Sequence, residues 1–206
     1  MKIQSFRGIV LRATQYSDAD LILEVLGQQG DKLSFLARGA RKSRRRFAGG
    51  VLQPLNYIQG QYQISRTVGK LSTLTEAQLV YGFDGLRKDY DRLRLGLNIL
   101  ESGRSLAQEG DVGAQSLFDL VGNALKALES AQDVQLFYLH FLVKILWQQG
   151  VLEFEEWMKE FLENSILKSV QSPALDGQIH LLIHRLEAKL KSFIQSGSTD
   201  STIVLS

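Results

Sequence analysis

The chain has 206 residues, enough to bury one good core or to divide into a small and a medium domain. Its 44% hydrophobic and 22% charged content is that of a folding globular chain, and the absence of cysteine excludes disulfides, thiolate nucleophiles, iron–sulfur clusters and cysteine zinc sites. The formal charge of +2 conceals an asymmetry, because residues 1–80 hold 12 Lys/Arg against 5 Asp/Glu and residues 81–206 hold 12 against 17, so a basic half suited to a polyanion is joined to an acidic one.

In chain order, Arg7 to Arg12, Leu21 to Leu26 and Lys32 to Arg38 are short, apolar or alternating runs that predict strands. Gly27 to Asp31 has hairpin composition and pairs the second with the third. Runs from Leu55 to Ile64 and Leu71 to Thr75 bring the count to five. Five strands in so short a stretch suit a Greek-key oligonucleotide-binding (OB) fold, a β-barrel that closes its sheet; an SH3-like barrel shares the strand count. The connection from Gly39 to Gly50 is left open between helix and loop.

From Phe83 the period becomes helical, with Leu86, Tyr90, Leu93, Leu97 and Leu100 predicted on one stripe. Further helices are predicted over Ala114–Glu129, Val134–Gln149, Glu153–Leu167 and from Asp176. Val134 to Trp147 is apolar nearly all round and predicts the central helix; it is shorter than the roughly 20 residues of a membrane span and contains His140 and Lys144. The last helix carries Ile179, Ile183, Leu186 and Leu190 on an apolar stripe beside His180, His184, Glu187 and Lys191. The expected division is an α+β chain: an OB-fold nucleic-acid-binding domain over 1–80, an all-α helical domain over 81–195, and a flexible tail over 196–206. The first seven residues lack the apolar run of a secretion signal, so a cytoplasmic protein without membrane attachment is expected.

The sharpest functional signal lies between Arg38 and Arg46, where Arg38, Arg41, Lys42, Arg44, Arg45 and Arg46 make six cations in nine residues with no acid. Such self-repulsion is relieved when phosphates neutralise the charges and release counterions, which predicts nucleic-acid contacts. Phe47 closes the run and is a candidate for stacking on a base, as are Tyr57 and Phe35. Arg66 and Lys70, between the fourth and fifth strands, form a second basic element at a place where OB barrels commonly touch ligand. A solvated loop, or a patch for an acidic protein or membrane, is the competing account of the same charges.

Catalytic signals are lacking. No Gly-x-x-x-x-Gly-Lys-Ser/Thr run occurs, since Ile64 stands five residues before Gly69. His180 and His184 have zinc-pair spacing but Leu181 replaces the glutamate a protease needs, and Asp18 and Asp20 read as turn residues rather than paired catalytic carboxylates. No enzyme, metal site or cofactor is expected.

The stretches Gly8 to Arg12, Tyr16 to Asp20, Gly30 to Leu33, Arg38 to Lys42 and Leu52 to Leu55, in that order and spacing, resemble the start of the bacterial RecO family of DNA repair and recombination mediators. The resemblance implies an OB barrel followed by a helical domain, ATP-independent binding and annealing of single-stranded DNA, and contact with double-stranded DNA. It further implies single-stranded-DNA-binding protein, RecR and RecA as partners, and recombinase loading in DNA damage repair as the role. By the match at the loop, Arg38, Arg41 and Lys42 carry over as DNA contacts, while Arg44 to Arg46 extend the run on charge alone. Many relatives hold a four-cysteine zinc site after the region matching Leu146 to Val151; this chain has Leu152-Glu153-Phe154-Glu155, so zinc is not implied. The runner-up is an OB-fold RNA-binding accessory protein.

Overall fold

A computed structural model describes residues 2–67, 69–109, 114–172, 175 and 177–200, with 198–200 in backbone alone. Five strands come first: β1 (Ile3–Gln15), β2 (Leu21–Gly27), β3 (Lys32–Ala37), β4 (Tyr57–Gln63) and β5 (Ser72–Tyr81). They close a barrel in the order β1-β2-β3-β5-β4. All pairs are antiparallel except β3 with β5, and β1 seals the ring by pairing with both β2 and β4. This is the Greek-key order of an OB fold.

The Ile9-Val10-Leu11 run in β1 breaks the period-2 alternation of a half-exposed strand because the strand is buried on both faces. Val10 points into the barrel with Phe6, Leu23, Val25, Phe35, Ile58 and Leu74. Ile9 and Leu11 join a second, larger cluster made mostly by the helices, together with Leu26 and Leu55. A register shift between Val10 and Arg12 bends β1 where it passes from β4 to β2.

Among the described residues five α-helices follow: α1 (Tyr90–Leu106), α2 (Gln115–Leu128), α3 (Val134–Gln148), α4 (Lys159–Glu163) and α5 (Ile179–Asp200). Aspartates open two of them. The Asp89 carboxylate accepts from Arg92 N at 2.9 Å, and Asp133 accepts from Gln135 N and Leu136 N, both at 2.9 Å, satisfying amides that lack an intrahelical acceptor. Gly150 ends α3 in the left-handed region at φ 68°, which glycine adopts without steric cost. As its apolar composition predicts, α3 is the centre of the helical half: it packs against α1, α2, α4 and α5, and Leu139, Phe141, Leu142, Val143, Ile145 and Leu146 are fully buried.

Three helical expectations differ from the structure. The α1 stripe is Leu95, Ile99 and Leu100 with the small residues Gly96, Ser102 and Gly103, whereas Tyr90 and Leu97 are exposed; small residues let α1 sit close to its neighbours, a signal that apolar periodicity overlooks. The predicted helix over 153–167 is reduced to a 3₁₀ turn at Glu156–Met158 and α4. Tertiary contacts override propensity there: the Glu155 carboxylate accepts from Trp157 Nε1 at 2.9 Å and pairs with Arg185 of α5, while Asn164 Nδ2 takes the Glu160 carbonyl at 2.9 Å as α4 ends. Finally, α5 begins at Ile179 and continues to Asp200, through residues 196–200 whose composition predicts a tail. Each added residue of an established helix gains one hydrogen bond, which offsets poor formers such as Gly197. Asp176 and 201–206 lie outside the described residues. The predicted stripe of Ile179, Ile183, Leu186 and Leu190 does face the core.

Candidate nucleic-acid interface

Between β3 and β4 the chain makes a series of turns over residues 38–56 with no helix. The first turn is fastened to the β1–β2 connection. Gly39 takes φ 65°, and its N–H donates to the Asp20 carboxylate at 2.7 Å; Arg41 N donates to Ala19 O at 3.1 Å. The Gly39 amide, with help from Ser17 and Arg38, holds the Asp20 carboxyl below its ordinary value. Lys42 N and Ser43 N both return to Gly39 O, at 3.1 and 2.9 Å.

The second anchor lies at Arg46-Phe47. The Arg46 carbonyl accepts from Ala77 N of β5 at 3.1 Å, and its guanidinium donates to Arg38 O at 2.8 Å and sits 5.4 Å from the centre of the Phe47 ring. Farther on, Asn56 Nδ2 donates to Gly50 O at 2.8 Å and Val51 O at 3.1 Å, while Arg87 donates to Asn56 Oδ1 at 3.1 Å. Arg38, Arg41, Lys42, Arg44, Arg45 and Arg46 are all exposed. The cationic run is therefore a ridge pinned at both ends.

One candidate role is overturned. Phe47 is only 3% exposed and belongs to the barrel's interior cluster, and Phe35, 1% exposed, packs tilted against both Phe6 and Tyr62 within it, with ring centres 4.8 Å apart. Neither ring has a free face for a base. Beyond the two-residue β3–β5 pairing the Arg46–Phe47 segment bridges to Ala77 of β5, which carries the Phe47 ring into the barrel's interior cluster. Tyr57 is half-buried, receives a hydrogen bond from Gln28 at 2.8 Å and packs toward Phe118 of α2 at 6.0 Å, so it belongs to the joint between barrel and helices. Tyr16, 64% exposed, is an aromatic in the β1–β2 connection to which the ridge is fastened, and its N–H donates to Asp20 O at 3.0 Å. Its signal in the sequence was an aromatic inside a turn.

Arg66 and Lys70 are exposed on the β4–β5 connection, where Lys70 N donates to Thr67 O at 3.2 Å; Val68 lies outside the described residues. The parallel register Phe35↔Ser72 and Leu36↔Thr73 sets this connection before the β3–β5 pair and the Arg38–Arg46 run after it. The two basic elements therefore flank one strand pair rather than merge.

The outer face of β2 and β3, where OB barrels commonly take ligand, is partly clothed by the end of α1. Glu24 Oε2 faces Arg104 Nη1 at 3.5 Å, Ser34 Oγ donates to Glu109 Oε1 at 2.7 Å, and Lys32 N donates to Gln108 O at 3.0 Å. The guanidinium of Arg104 also binds Glu101 at 2.6 and 2.9 Å, which holds the Glu101 carboxyl below its ordinary value. Carboxylates thus line the covered face. Arginines and a lysine line the bare ridge.

Other candidates resolve simply. Asp18 is an exposed turn residue whose carbonyl accepts from Arg41 Nη1 at 3.4 Å, and Asp20 serves the ridge rather than a carboxylate pair. His180 and His184 are exposed on α5. Among the described residues no group of three or more His, Cys, Asp or Glu is placed to hold a metal ion, and no helix is long and apolar enough to cross a membrane.

A five-stranded barrel of this order, bearing a pinned cationic connection and followed by a helical half, defines a protein of the OB-fold class. Its first 83 residues match the family model described as "Recombination protein O N terminal". The chain is 30% identical over 142 residues to the DNA repair protein RecO of Maridesulfovibrio salexigens, covering 69% of this chain and 56% of that one. It is 33% identical over 133 residues to RecO of Rubrobacter xylanophilus, covering 65% and 51%, and 36% identical over 124 residues to RecO of Anaeromyxobacter dehalogenans, covering 60% and 48%. The chain spans about half the length of these curated relatives. It belongs to the RecO family.

Proposed function

We propose that this chain is a DNA-binding, non-catalytic mediator of repair and recombination that grips single-stranded DNA along the Arg38–Arg46 ridge. The observation that carries this reading is the ridge itself: six exposed cations with no acid among them, in a family whose named relatives are DNA repair proteins. Two backbone anchors hold the stretch of chain that carries those charges, so their repulsion persists in the fold. Phosphates relieve it. Arg66 and Lys70 extend the phosphate track to the far side of the β3–β5 pair, and Tyr16 supplies the stacking face that Phe47 cannot. The division into an OB-fold domain over 1–80 and a helical domain beyond it fits this reading, with the barrel binding DNA and the acidic helical half left for protein partners.

The family likeness supports single-stranded-DNA-binding protein, RecR and RecA as the partners in this reading, and strand annealing and recombinase loading as the finer activities. Binding needs no nucleotide cofactor. An RNA-binding accessory role is the rival reading, and the two differ in a competition assay. A fluorescent DNA 20-mer held by the chain should be displaced by unlabelled single-stranded DNA at least as well as by RNA of the same sequence. Selective displacement by RNA would overturn the DNA assignment. Pull-down from a nuclease-treated bacterial extract should retain single-stranded-DNA-binding protein, and its absence would remove the mediator role.

A further inference from the structure

The ridge encloses a cavity of about 460 Å³ on its β1–β2 side. Its floor is apolar: Ala13, Leu21 and Ala40 pack on the barrel cluster to which Phe47, Val51 and Leu52 belong. Its rim is cationic, made by the exposed Arg41, Lys42 and Arg44, with Ser43 and Gln53 as hydrogen-bonding side chains and no carboxylate in the lining. The opposite side of the ridge differs. There a cavity of about 570 Å³ bordered by Arg45, Arg46 and Arg87 also contains Glu76 and Asp84, which offset its charge.

A flat apolar body carrying anionic charge at its edge is the ligand that the first cavity complements. We propose that it accepts a nucleobase turned out of a single strand whose phosphates lie on Arg41, Lys42 and Arg44. This rests on the reading of the ridge as a phosphate track and adds a subsite to it. The volume is ample for one base and falls in the range of small-ligand pockets. Every base offers an apolar face, so the site is tolerant of sequence. A base in duplex is already paired and stacked, so entry there requires a pair to be broken, which makes the cavity a source of preference for single strands.

The test compares a thymidine 20-mer with an oligomer of equal length whose interior sugars are abasic, so that phosphate charge is equal and only bases differ. Tyr16→Ala is the background, since it removes the neighbouring stacking face. In it, the abasic oligomer should still bind about ten-fold more weakly. Ala40→Phe, or Ala48→Phe where the first fails to fold, fills the cavity without touching a charge, and should bring the two oligomers to within about two-fold while both keep their salt dependence. An abasic penalty that persists in a filled variant melting like its parent would overturn the proposal and leave the ridge intact. So would the absence of any abasic penalty in the Tyr16→Ala background. Salt-independent binding would instead defeat the phosphate track itself.

Discussion

Two sides of one barrel carry opposite solutions to the problem of charge. Across β2 and β3 the outer surface is partly covered by the end of α1, and Glu24 and Glu101 share one arginine, Arg104, within the fold. Along residues 38–46 six cations are carried on a backbone held in place, and the acids that approach it, Asp20 beside Gly39 and Glu76 and Asp84 on the Arg45–Arg46 side, are fewer than the cations. Salt bridges of the first kind contribute little stability when exposed, whereas a fixed field of like charge is costly without a ligand. The difference teaches that this fold concentrates positive charge on the connection after β3 and pairs its charges over the β2–β3 face.

The largest effect expected on this contrast comes from the residue at the end of the ridge that is not part of it. Phe47→Ala should destabilise the barrel by about 3–5 kcal/mol, the usual loss for truncating a buried phenylalanine. Phe47→Leu, which keeps most of the volume, should fold and bind single-stranded DNA like the parent. Denaturant melts beside oligonucleotide anisotropy check both. A Phe47→Leu protein that melts normally but binds weakly would restore the stacking role.

In the helical half the comparable internal device is His140, buried on α3 with its Nε2 2.8 Å from the Phe161 carbonyl. Burial, reinforced by Lys144 nearby, lowers its pKa to about 4. The unfolded chain therefore takes up a proton on this residue between its ordinary value of 6.5 and about 4 that the folded chain refuses, so stability falls as pH drops through that window. The loss amounts to at most roughly 3–4 kcal/mol, from some 1.4 kcal/mol per unit. Below the window the contribution is constant. Chemical denaturation of the parent and of His140→Phe at pH 7 and pH 5 should show a smaller pH dependence in the variant. An equal dependence would place the titration on a group other than His140.

Tyr16→Ala should weaken single-strand binding by about 1–3 kcal/mol per base stacked and leave the melting temperature close to that of the parent. A smaller step belongs to Arg46, whose guanidinium ties the ridge to Arg38 O. Arg46→Ala should cost about 1 kcal/mol of stability as well as one phosphate contact. This separates it from Arg44 and Arg45, where a substitution should cost no more than about 0.5 kcal/mol.

Much of this was legible in the amino-acid sequence. Turn composition at Gly27–Asp31, the β-branched runs and the all-round apolar helix at Val134 gave the strand order's ingredients and the helical centre, because each is a local signal. The cationic run was legible for the same reason. The fate of Phe47 was not, since it depends on a bridge to Ala77, some thirty positions away, beyond the short β3–β5 pairing. Tyr16 and Asp20 were hidden for the converse reason: both are ordinary turn residues until the connection they sit in is hydrogen-bonded to Gly39 and Arg41, some twenty positions away. The extended segment around Glu155 and the close-packing glycines of α1 likewise depend on partners distant in sequence.

The central claim, that the ridge binds DNA through its phosphates, is tested most directly by one salt titration. Single-strand affinity of the parent and of the triple variant Lys42→Ala, Arg44→Ala, Arg45→Ala is measured from low to moderate salt, with thermal melts as control. Each phosphate neutralised contributes about −0.7 to the log–log slope, so the variant's slope should be shallower by about 2 units, with binding weakened alike for all sequences. Parallel lines for two proteins that melt alike would contradict the account, leaving the ridge a solvated bystander and moving the DNA-binding surface elsewhere on the molecule.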